Sequence, residues 1–109
     1  MDTLLLIEDL NRAYGWELAP TDTQEALETL LAEKINAMIQ GNFDKLLQLL
    51  YRIDINEQRL RRLLVENEGE DAGQIIARLI MERQWEKMES RRQFRQDKTK
   101  DEDDGEERW

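Results

Sequence analysis

The chain has 109 residues, one domain's worth, of which 38% are charged, 39% hydrophobic and only 6% aromatic. Its 16 basic and 25 acidic side chains give a net charge of −9, and it contains no cysteine, no histidine, one proline and one serine, Ser90. The missing cysteine excludes disulfides, thiolate zinc sites and thiol nucleophiles. The missing histidine excludes serine–histidine triads and removes the commonest base near neutral pH and the commonest transition-metal ligand. Carboxylates such as Glu28, Glu33 and Asp44 are what remains for a magnesium or calcium site. The calcium-loop pattern is not met. A loop with Gly105 sixth runs off the chain, and one with Gly73 sixth has Ala72 and Leu79 where carboxylates are needed. The expectation is therefore a non-enzyme without cofactor or metal. The longest early apolar run, Leu4 to Ile7, follows Asp2 and precedes Glu8 and Asp9, unlike a secretory signal. No run approaches a membrane span, so the expected location is cytoplasmic, without membrane contact.

In chain order the pattern is helical throughout. A first helix over Thr3 to Tyr14 points Leu6, Ile7, Leu10 and Ala13 inward, and Gly15 stops it. Trp16 and Leu18 fall in the connection. Thr21 with Gln24 fits a capping box for a second helix. That helix carries Leu27, Leu30, Leu31, Ile35, Met38 and Ile39 at spacings of three and four, with Gly41 as a left-handed stop. Asn42 caps a third helix with Phe43, Leu46, Leu47, Leu49, Leu50, Tyr51 and Ile53. Its wide apolar arc predicts a central, largely buried element. Asp54 with Glu57 opens a short fourth helix with Leu60, Leu63 and Leu64, which Gly69 ends. Asp71 with Gln74 opens a fifth, from Ala72 to about Arg95. No period of two suggests a strand. The fold expected is all-α: a compact bundle of about five helices over residues 1–96. Residues 97–109 are expected to be a disordered acidic tail. The tail holds −4 of the charge and leaves −5 on the body.

The last helix carries two apolar faces. With Ile75 at 0°, a 100° step places Ala72, Ile75, Ile76, Leu79 and Ile80 between about 0° and 140°. Arg83 and Lys87 continue this stripe, so the helix is expected to outrun its core near residue 82. Met81, Trp85 and Met88 fall at roughly 220–280°, on the other side. Tryptophan and methionine bury large, adaptable surfaces at interfaces. This patch is read as a surface for a protein partner, foremost a second copy, since two-fold dimers are the commonest oligomers. Coverage by the segment of Trp16 and Leu18, and simple exposure, are the other readings. Arg83, Lys87, Arg91 and Arg95 form a basic row, with Arg92 beside it. Its readings are cations at a helix C-terminus, a resting place for the acidic tail, or a surface for an acidic partner or nucleic acid.

Residues 46–64, LLQLLYRIDINEQRLRRLL, resemble the helix-turn-helix pattern of bacterial DNA-binding domains. Asp54 stands at the turn's usual glycine and Leu50 at the small-residue position before it. Ile55, Leu60, Leu63 and Leu64 match the apolar positions that follow, and Asn56 the second helix's cap. The resemblance implies that Arg59, Arg61 and Arg62 face DNA, with Gln58 a base reader. Phosphate binding needs a net-positive face, and the attached −4 tail works against a nucleic-acid partner. No small-molecule substrate is evident. The leading expectation is a small non-catalytic helical interaction module, an adaptor or regulator that self-associates through its last helix. The alternative is a DNA-binding transcriptional regulator using residues 46–64.

Overall fold

A computed structural model describes the backbone of residues 1–105 and the side chains of residues 1–94. Five helices follow in order: α1 (Thr3–Tyr14), α2 (Gln24–Gly41), α3 (Phe43–Ile53), α4 (Glu57–Glu66) and α5 (Ala72–Gly105). There are no strands among the described residues. The acidic segment 97–109 and the side chain of Arg95 lie outside the residues described in full.

Local chemistry sets most boundaries. Asp2 caps α1 by accepting from the Leu5 N–H, and Asn42 and Asn56 cap α3 and α4 in the same way. Gly15 ends α1 at φ 69°, where only a residue without Cβ is unstrained. Four boundaries differ from expectation. Thr23, not Thr21, caps α2: its extended backbone lets Oγ1 accept from Ala26 N at 3.1 Å. Gly41 stays inside α2 without a positive φ, because Asn42 closes that helix while opening the next. Asp54 ends α3 instead of opening α4. It adopts φ 67°, with its N–H on the Leu50 and Tyr51 carbonyls, while the Ile55 N–H returns to Leu50. This Schellman ending needs a left-handed residue, and aspartate is among the few non-glycine types that tolerate it. Asn67 likewise closes α4 before Gly69 is reached.

The core joins Leu6, Ile7 and Leu10 of α1 with Leu27, Leu31, Ala32 and Ile35 of α2. To these it adds Leu46, Leu49 and Ile53 of α3 and Ile76, Ala77, Ile80 and Met81 of α5. The central helix is α5, which packs on all four others, most extensively on α2. That corrects the central place expected for α3. There Leu46, Leu49 and Ile53 turn inward, while Phe43, Leu47 and Tyr51 stay 54%, 49% and 88% exposed. The α2–α5 crossing is close at Gly73, where a Cβ would lie 2.5 Å from Asn36 Oδ1. Ala13 faces solvent, so α1 presents a narrower stripe than its sequence offers. α4 buries no residue fully and leans on the core through Leu60.

Candidate functional site

The buried apolar residues of α5 end at Met81, as expected, but the helix stays alongside α1 through residue 91. A buried polar network joins the two. Asp9 and Gln84 are 6% and 3% exposed. Gln84 Nε2 donates to Asp9 Oδ2 at 2.7 Å, and the Tyr14 hydroxyl donates to Gln84 Oε1 at 2.8 Å. One guanidinium nitrogen of Arg91, Nη2, donates to both oxygens of Asp9 at 2.9 and 2.8 Å. No described buried side-chain polar atom lacks a partner. Burial raises the Tyr14 pKa above 10.0, opposed by the nearby Arg52 cation.

The basic row has a structural explanation that differs from its own helix end. Arg83 Nε donates to the Asp54 carbonyl at 3.1 Å, and its Nη2 reaches the Asp54 carboxylate at 3.2 Å. Lys87 Nζ donates to the Arg52 carbonyl at 3.2 Å. Both cations therefore sit at the negative C-terminus of α3, whose last carbonyls lack helical donors. Arg91 serves Asp9 instead. Burial lowers the Lys87 pKa below 10.5, and the neighbouring Arg83 cation lowers it further.

The second apolar face divides. Met81 is 5% exposed and belongs to the core. It is thereby removed from the expected surface. Trp85 and Met88 are partly buried against the core and line an open groove of about 710 Å³ between α1 and α5. Leu5 and Phe94, 49% and 64% exposed, line the same groove. Glu8 and Arg12 of α1 and Glu89 and Arg92 of α5 add both signs of charge. Trp16 and Leu18 pack against the core but do not line this groove; Trp16 lies beside Tyr14, with Lys34 over its ring.

No known family model matches the chain, and no curated protein or solved structure is similar to it.

The look-alike segment 46–64 does form helix, turn and helix, with Asp54 left-handed at the glycine position. Yet the backbones of α3 and α4 do not approach each other closely; α3 rests on α2 and α5, and α4 on α5. Arg59 holds both oxygens of Glu82, at 2.7 and 3.1 Å, and Arg61 holds Glu57 at 2.6 Å. Hydrogen bonding to Glu82 raises the Arg59 pKa. Gln58 and Arg62 are exposed. Of the carboxylates considered for a metal, Glu28 is paired with Arg78. Among the described residues no group of three carboxylates is placed to hold a metal ion, and no helix is long and apolar enough to cross a membrane.

Proposed function

We propose that the protein is a non-catalytic helical interaction module, an adaptor or regulator, that self-associates through the distal half of α5. The observation that carries this reading is the groove of Trp85 and Met88, bordered by exposed Leu5. Large apolar side chains left in an open, polar-rimmed groove are the usual mark of a protein-binding surface. The rim supports a second copy as the occupant. A two-fold interface sets a patch against itself, so it needs both signs of charge, and Glu8, Glu89, Arg12 and Arg92 supply them. A cytoplasmic location accompanies this reading.

Light scattering after gel filtration tests it. Wild type should run above its monomer mass of 13.1 kDa, and Trp85→Asp at that mass with its helical circular dichroism retained. A monomer at all concentrations for both chains contradicts self-association. The second reading, a DNA-binding regulator, draws on the left-handed turn at Asp54. It requires a low-salt DNA shift that disappears in Arg59→Ala plus Arg62→Ala.

A further inference from the structure

We infer that the second copy lies antiparallel along α5, with the two-fold axis beside Met88, so that Arg92 of each copy covers Trp85 of the other. This rests on the reading above and adds its orientation and register.

The chemistry of one helix face selects this arrangement. Trp85, Met88 and Arg92 fall within about 60° of one another on α5, and Glu89 flanks them. A parallel pair would set Arg92 on Arg92, like charges opposed, and leave no cation facing the partner's Trp85. An antiparallel pair reverses the order. Trp85 and Arg92 are equally distant from the point between Met88 and Glu89, so one axis there aligns both Trp85–Arg92 pairs. An arginine plane over an indole is a favourable cation–π contact, strengthened when water is excluded. Arg92 is available for it: its side chain is 68% exposed, and its ion pair with Glu89 is long, at 3.8 Å. Met88 at the axis supplies a deformable apolar contact at the usual 8–10 Å helix spacing. The competing surface is the outer face of α3, where Phe43, Leu47 and Tyr51 recur every fourth residue. It carries no comparable arrangement of an aromatic ring and a mobile cation about one axis.

The absence of cysteine makes the test direct, because one introduced thiol has only its own copy to pair with. Full-length Met88→Cys, Glu89→Cys and Tyr51→Cys would be oxidised mildly and the covalent dimer measured on non-reducing gels. Cysteines at positions 88 and 89 should cross-link at least about tenfold faster than one at position 51. Arg92→Glu should weaken dimerisation by at least about tenfold, and Arg92→Lys by less. Preferential cross-linking at position 51 overturns the inference. So does a dimeric mass with none at positions 88 and 89, an outcome that leaves self-association standing. A monomeric mass overturns both.

Discussion

The two halves of α5 are held by different physics. From Ile75 to Met81 the helix is clamped by apolar burial: Ile75, Ile76, Ala77, Leu79, Ile80 and Met81 are all 5% exposed or less. From Glu82 to Phe94 it is held by polar contacts that reach across to other elements. Arg83 and Lys87 close the end of α3, while Gln84 and Arg91 grip Asp9. Non-directional burial tolerates small shifts, whereas a buried carboxylate must keep its donors. The difference explains how a chain with a small core can keep a long helix docked and still leave one side open around Trp85.

The contrast can be broken at several points. Ile80→Ala should cost the most, about 2–5 kcal/mol, because it opens a cavity where α5 meets the core; urea unfolding would measure it. Asp9→Ala should cost about 2–3 kcal/mol by stranding Gln84 and freeing Arg91. A loss under about 0.5 kcal/mol would mean that the distal half is not held by this network.

Lys87 tests the polar half by pH. Its folded-state pKa is lowered, so between that value and the ordinary 10.5 the unfolded chain binds more protons and stability rises with pH. The contribution is complete above 10.5 and is lost as pH falls through the lowered pKa. Tyr14, raised above 10.0, acts in the opposite direction, losing its contribution as pH rises through its folded-state value. The stability of wild type relative to Lys87→Met, followed by urea unfolding from pH 8 upwards, should therefore increase with pH. A flat difference would remove the desolvated cation from the account. The smallest effect is expected at Asp54→Gly. Relief of the left-handed aspartate, about 1 kcal/mol, should outweigh loss of its exposed contact with Arg83. A clear loss of stability would show that this contact matters more.

Much of the fold was legible because it is written locally. The span of α1, the caps at Asn42 and Asp71, and the stop at Gly15 follow from side-chain chemistry within a few residues. Which helix becomes central was not legible. α3 has the widest apolar arc, yet burial depends on how many neighbours arrive, and α5 gathers four. The site was half legible: helical spacing placed Trp85 and Met88 together, but Met81, at the same spacing, is buried in the core. The basic row fits the end of its own helix, the acidic tail or an acidic partner by sequence, because nothing local reveals that the end of α3 arrives beside Arg83 and Lys87. Asp9 is not legible at all, since an acid on a short helix gives no sign of burial until Gln84 and Arg91, far along the chain, turn towards it.

Sedimentation equilibrium of the full chain across a hundredfold concentration range, beside Trp85→Asp and Arg92→Glu, tests the proposed surface most directly. Wild type should rise from 13.1 kDa towards twice that mass, with both variants staying at or near the lower value and retaining their helical circular dichroism. A wild-type mass of 13.1 kDa throughout, or dimers equally stable in all three chains, would contradict it.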